Sequence, residues 1–269
     1  MKINCKKKKF ISCLAVMFFV GIEADAAENK PKSTGTVHVE NSEKTVILDP
    51  ENPEEKLIPE KIHSTEGNLR IDFASDWAFG KVTLEPEKKD SIYYLRSQRF
   101  VNSDEVRGSY IQITDQREQA SSWSLQVKQS GQFKNNVIQE KEEQELNGAI
   151  FSLDKIWVNS LGDRELPTVA RDTIAFQNFN QAYNIANLEK EKGQNGTWLI
   201  IFGASPKNKA NQENTLKPEL DEQGNPIIDD KDGKPVYTNE AISIRIPENT
   251  KIHPVTYETT LTWILGDLP

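Results

Sequence analysis

Short runs of β-branched and aromatic residues recur along the chain, separated by Gly, Pro, Asn and Asp. They include TVHVE at 36–40, KTVIL at 44–48, LRIDFA at 69–74, SYIQITD at 109–115 and SWSLQVK at 122–128. GAIFSL at 148–153, TWLIIFG at 197–203, AISIRI at 241–246 and VTYETTLTWIL at 255–265 continue the series. Strand-length runs punctuated in this way predict an all-β domain, sandwich or barrel, and a β-sandwich of roughly ten or more strands with long loops is the expected form. Helical periodicity is weak. QAYNIANLEKEKG at 181–193 alone has helix-forming composition, and it is short enough to be a loop.

Alternation shows which faces are buried. Successive side chains in a strand point to opposite faces, so Trp123, Leu125 and Val127 lie on one side of SWSLQVK, with Ser122, Ser124, Gln126 and Lys128 on the other. Tyr257, Thr259, Leu261, Trp263 and Leu265 likewise share a face. Each strand therefore hides a Trp and a Leu together. TWLIIFG is apolar on both faces and is expected to run through the middle of a sheet covered above and below.

Two spans break the pattern. Residues 52–68, NPEEKLIPEKIHSTEGN, form a long Pro-bearing connection, and residues 206–240 form a charged insertion between strands. The insertion repeats Gly-x-Pro at a spacing of nine, in Gly224-Asn225-Pro226-Ile227 and Gly233-Lys234-Pro235-Val236. Each copy predicts a turn leading into an extended arm. The span is expected to be an exposed, hairpin-like insertion.

Composition narrows the class. With 269 residues, 36% of them hydrophobic, 14 Gly and 13 Pro, the chain is neither collagen, coiled coil nor a polytopic membrane protein. Its one long apolar run, residues 10–22, follows the basic stretch Lys6 to Lys9 and precedes Ala24-Asp25-Ala26. A basic n-region, a short apolar region and an A-x-A site make residues 1–26 a secretory signal peptide. Cys13 lies inside the apolar run, where a lipoprotein cysteine would follow it. Residues 27–35, AENKPKSTG, are polar and are expected to be a disordered leader, with one domain over 36–269.

Cleavage changes both charge and cysteine content. The first 26 residues carry five lysines against Glu23 and Asp25, a surplus of three positive charges, so their removal takes the formal charge from -8 to -11. They also hold Cys5 and Cys13, the only cysteines, so the mature chain has no disulfide and must be held by its own core. Export without cystines suits a Gram-positive surface. The terminal TLTWILGDLP has no hydrophobic tail, basic stop or sorting motif. Neither covalent wall attachment nor a membrane segment after cleavage is expected, and any hold on the cell is noncovalent.

Candidate chemistry is sparse. His38, His63 and His253 are far apart with no H-x-x-x-H spacing, so zinc is not expected. Asp229, Asp230 and Asp232 crowd before Gly233, but Ile228 and Asn239 occupy the first and last ligand positions of a calcium loop, which leaves a solvated acidic loop. No nucleophile elbow, P-loop or dinucleotide fingerprint is present, so neither catalysis nor a cofactor is expected. A pair of glycosidase carboxylates is not forbidden among 41 acidic residues. The acidic balance argues against nucleic acid and against electrostatic adhesion to anionic wall polymers.

Two Trp-x-Leu tripeptides, Trp123-Ser124-Leu125 and Trp263-Ile264-Leu265, carry a resemblance. With ILDPENP at 47–53, GNLRIDFASDWAFG at 67–80, ITDQREQASSWSLQVKQSGQFK at 113–134, GTWLIIFG at 196–203 and the segment from 243 onward, the chain resembles the WxL-domain surface proteins of low-GC Gram-positive bacteria. The likeness covers essentially the whole mature chain and thins over 154–196 and 206–240. It implies a secreted, noncatalytic β-sandwich attached noncovalently to the cell wall, with peptidoglycan as ligand. It also implies partners in a surface complex, including a membrane-anchored WxL-interacting protein. The alternatives are an adhesin that meets a host or partner protein through 206–240, and a secreted carbohydrate-active enzyme. Trp123 and Trp263, with Leu125 and Leu265, are expected to pack the core. Trp77 and Trp157, nearer turns, are the candidates for exposed glycan contact, where a flat sugar face stacks on an indole.

Overall fold

The computed structural model describes residues 45–81, 90–119, 122–189 and 195–267. The expected signal peptide, the leader and the TVHVE strand lie outside these residues. A short hairpin, β1 (Ile47–Leu48) with β2 (Lys56–Leu57), is followed by β3 (Leu69–Ala74) and β4 (Asp90–Arg96). A second hairpin, β5 (Gln98–Phe100) with β6 (Ser103–Arg107), leads into β7 (Ser109–Asp115) and β8 (Trp123–Gln129). After a single 3-10 turn come β9 (Ile150–Leu153), β10 (Ile156–Ser160), β11 (Thr168–Val169), β12 (Ile174–Ala175) and β13 (Tyr183–Leu188). The remaining strands are β14 (Gly196–Phe202), β15 (Leu216–Pro218), β16 (Tyr237–Pro247) and β17 (Leu261–Gly266). All pairings are antiparallel, and the described residues include no α-helix.

Three sheets carry the fold. Their orders are β10-β14-β7-β3, β11-β13-β8-β17 and β12-β9-β16-β15, with β4 also on β16. The first sheet is covered on both faces. Trp198, Ile200 and Phe202 of β14 enter the main core beside Trp123, Leu125 and Val127 of β8 and Phe151 and Leu153 of β9. Leu199 and Ile201 turn the other way, into a second core with Phe73, Tyr110 and Trp157, closed by Ile47, Leu48 and Leu57 of the first hairpin. The unbroken apolar run of TWLIIFG is thus explained by burial on both sides. Each such side chain contributes roughly 1.5–3 kcal/mol on burial.

A bulge in β3 serves both cores. Ile71 pairs with Ile113 and Phe73 with Gln112, so the ladder slips by one residue between them. Without the slip, Ile71 and Phe73 would share a face. With it, Ile71 joins the main core and Phe73 the second. The extra residue, Asp72, is buried and takes hydrogen bonds from Arg70 Nε (2.8 Å), Gln112 Nε2 (3.0 Å) and the Thr114 hydroxyl.

The first hairpin is held by polar groups as well. Tyr110 Oη donates to Leu48 O (3.0 Å), and Gln112 accepts from Leu48 N (2.9 Å) while donating to Val46 O (2.9 Å). Next to them Arg107 forks onto Asp49, both buried, and Glu51 accepts from Ser205 N (2.6 Å) and Oγ (2.5 Å).

Two expectations need correction. The stretch 181–193 is neither helix nor plain loop over its described part. It contains β13, which pairs with β8 through a bulge between Asn184 and Ala186. Residues 206–240 are also more than an insertion, because Leu216, Lys217 and Pro218 pair with Asn239, Thr238 and Tyr237. Asn239, fully buried, accepts from Thr215 Oγ1 (2.8 Å) and donates to Phe202 O (2.8 Å), which ties this base to β14. Gly203 follows β14 at φ 79, and a Cβ there would collide with both Thr215 and Asn239. Beyond the base, Gly224 and Gly233 take the positive φ that the repeat predicts and close successive turns. Arg99 pairs with Asp232 (2.6 Å) and Asp229 (3.8 Å), and Lys234 with Asp104 (2.7 Å), so the second turn is fastened to the β5-β6 hairpin.

Candidate functional site

An aromatic groove of about 1360 Å³ opens between residues 74–81 and residues 252–263. The first wall begins where β3 ends. Ser75 fixes it by exchanging hydrogen bonds with Tyr110, its amide donating to Tyr110 O (3.1 Å) and its hydroxyl accepting from Tyr110 N (2.9 Å). Ala78 O then accepts from Arg96 N (2.9 Å), which lays the segment along β4. Between these two anchors Trp77 is half-buried, with its ring 5.5 Å from Phe202 and 5.6 Å from Phe151. Phe79 follows, edge-on to Phe133 at 6.3 Å.

The opposite wall is the approach to β17. Tyr257 Oη accepts from His253 N (2.9 Å), and Glu258 exchanges backbone hydrogen bonds with Lys134 (2.8 and 2.9 Å). From Tyr257 to Leu265 the odd positions are half-buried and Glu258, Thr260 and Ile264 are exposed, as alternation predicts for most of this stretch. Trp263 meets Trp77 edge-on across the groove, centroids 5.5 Å apart at 71°. This is a favoured aromatic geometry.

Charged pairs stand at the rim. His63 Nε2 lies 2.8 Å from Asp76, and His253 Nε2 lies 2.7 Å from Glu143. Lys251 also reaches Glu143, and together these two partners hold its carboxyl below the usual carboxylate range. The two histidines, set aside as metal ligands on sequence spacing, therefore line one groove. No cluster of three or more metal-ligating side chains occurs among the described residues, and no helix among them is long and apolar enough to cross a membrane.

The two Trp-x-Leu motifs are adjacent. In the β8-β17 ladder Leu125 is the direct partner of Leu265, and Trp263 is the partner of Val127. Trp123 and Leu125 are fully buried, and the Trp123 indole packs on Trp198 at 5.6 Å with no partner for its N–H. Trp263 and Leu265 are half-buried against the same core. Trp157 is not exposed. At 4% exposure it belongs to β10 and the second core, where its Nε1 donates to Gly203 O (2.9 Å). The turn beside it suggested solvent, but the indole points inward from a strand. Of the two candidates for glycan contact, Trp77 alone reaches the groove.

Tyr93, Phe79 and Tyr257 were not singled out as candidates. Tyr257 was legible in the shared face with Trp263, whereas Tyr93 comes from β4, which lacks an obvious alternation.

A family model described as WxL domain surface cell wall-binding matches residues 26–269. No curated protein and no solved structure matches the chain.

Proposed function

The chain belongs to the WxL family of surface cell wall-binding domains, and from that premise we propose that it grips peptidoglycan noncovalently in the Trp77–Trp263 groove. The observation that carries this reading is the meeting of two half-buried indoles, from segments far apart in sequence, in a concave site with polar groups at its rim. Indole and phenol faces take the apolar faces of sugar rings. The His63–Asp76 and His253–Glu143 pairs offer donors and acceptors for hydroxyl and acetamido groups. A formal charge of -8 opposes simple attraction to anionic polymer, so stacking and hydrogen bonding carry the contact. No bond is cleaved in this role. Assembly with other surface proteins, a WxL-interacting protein among them, is the second half of the proposal and rests on the family resemblance.

The test is cosedimentation of the mature protein with purified peptidoglycan at low and high salt. Salt-insensitive pelleting that Trp77→Ala abolishes in a folded protein supports the reading. Release of sugar, or pelleting that the variant leaves unchanged, overturns it.

A further inference from the structure

We propose that the groove reads the junction of glycan and peptide. Sugar rings lie at its Trp77–Trp263 end, and the short peptide borne by the same sugar lies along the other end. This deepens the glycan reading above and rests on it.

The two ends differ in chemistry. At the first, Trp77, Leu261 and Trp263 pack against the main core. At the second the floor is Leu146, Ile244 and Ile246, part of a third buried cluster, with Tyr93, Ile252 and Tyr257 half-buried against it. Phe79 and Phe133 touch both clusters and join the ends into one trough. Its volume of about 1360 Å³ exceeds the roughly 300–1,000 Å³ of a site for one drug-sized ligand.

The second end does not suit another sugar. A sugar ring wants a flat aromatic face, and its hydroxyls need polar partners when they leave water. Aliphatic Leu146, Ile244 and Ile246 supply neither. They suit small apolar side chains, which gain by leaving water.

The wall beside that floor is short of backbone partners. From Asp76 to Lys81 one backbone hydrogen bond is made among the described residues, the one that Ala78 O accepts from Arg96 N. The N–H groups of Trp77, Phe79 and Gly80, all residues of the groove lining, thus have no protein partner among the described residues. Backbone donors call for acceptors, and a peptide supplies carbonyls along its length.

Charge agrees. At one rim Glu143 is already met by Lys251 and His253. Lys81, exposed in the lining of the other wall, has no carboxylate partner among the described residues and is open to a carboxylate of the peptide. A single exposed pair adds little affinity, so Lys81 sets direction rather than strength.

Continuity selects this peptide over a free one. In peptidoglycan alternate sugars carry a short peptide, so a sugar stacked on the indoles brings its own peptide to the second end. The contact is intramolecular, at an effective concentration that a separate chain does not match.

Calorimetric titration of the mature protein with three fragments of purified peptidoglycan tests this. They are the disaccharide with its peptide, the same disaccharide with the peptide removed by an amidase, and the free peptide. The peptide-bearing disaccharide is expected to bind at least about tenfold tighter than either part, the equivalent of burying one apolar side chain. Ile252→Ala removes most of that advantage and leaves the bare disaccharide bound as by the wild type, whereas Trp77→Ala weakens both disaccharides. Lys81→Gln, an exposed change that leaves the core intact, lowers affinity for the peptide-bearing ligand alone, by about twofold. Equal affinity for the two disaccharides overturns the proposal and leaves the glycan reading standing, as does an advantage that neither Ile252→Ala nor Lys81→Gln reduces. Free peptide that binds as tightly as the whole fragment overturns it as well and moves recognition off the sugar. Binding of none of the three sinks both readings.

Discussion

Leu125 and Leu265 stand directly opposite each other on β8 and β17. Because these strands run antiparallel, this one pairing places the two tryptophans of the motifs toward opposite ends of the ladder. Trp123 goes into the closed core beside Trp198, and Trp263 goes to the groove beside Trp77. The same tripeptide is fully buried in one strand, while in the other its Trp both packs on the core and lines the groove.

Trp123→Ala is therefore expected to destabilise by about 3–5 kcal/mol, the range for emptying a fully buried aromatic site. Urea denaturation measures it, and peptidoglycan binding should be lost only in proportion to unfolding. A folded variant of unchanged stability that fails to bind would move Trp123 into the binding surface.

Trp77→Ala should separate the two effects. Its ring is half-buried, so the stability loss is smaller, about 1–3 kcal/mol. Cosedimentation with peptidoglycan should fall by about tenfold or more, equivalent to ~1.4 kcal/mol of contact.

Arg107→Ala leaves Asp49 buried without its partner, since the guanidinium supplies three of the hydrogen bonds to that carboxylate. Breaking a buried pair on one side costs about 3–5 kcal/mol. Chemical denaturation should show this loss, whereas replacing both residues with apolar ones of similar volume should recover most of it.

Glu51 gives the fold a pH dependence of definite sign. Burial raises its carboxyl above the ordinary value, and the Ser205 hydrogen bonds and the Arg107 charge only partly offset this. A carboxyl that holds its proton more tightly when folded contributes stability below its unfolded pKa and loses it as pH rises through the folded one. Denaturation midpoints taken upward from pH 4.5 should show the Glu51→Gln variant gaining on the wild type. A constant difference across that range would mean that Glu51 titrates as it does in the unfolded chain.

Removing 207–239 should abolish cooperative melting, because it takes away β15 and the buried Asn239. Replacing only 220–235 with Asn-Gly keeps the Glu219 N to Val236 O bond and should leave a cooperative transition. Calorimetry of the two deletions distinguishes base from arm.

The positions of β3, β7, β8 and β14 are legible in the sequence to within a residue, and so are the faces of β8 and β14, whereas the bulge that sends Ile71 and Phe73 of β3 to different cores is not. β13 is not, for a physical reason. Its bulge places the neighbours Ile185 and Ala186 both at zero exposure, which erases the period of two, and the Ala, Leu, Glu and Lys content of the stretch 181–193 around it imitates a helix. Pairing with β8 overrides that propensity. The groove was half legible. Trp77 and the Tyr257 to Leu265 face could be named from the sequence, but nothing local says that residues 63, 77, 253 and 263 converge. Trp157 shows the opposite error, where a nearby turn concealed a strand that points its indole inward.

The groove takes one indole from early in the chain and one from near residue 263, with β17 as the strand that delivers the second. The cleft is therefore a product of the tertiary fold, and neither indole-bearing segment carries it before the sheets that hold them have met.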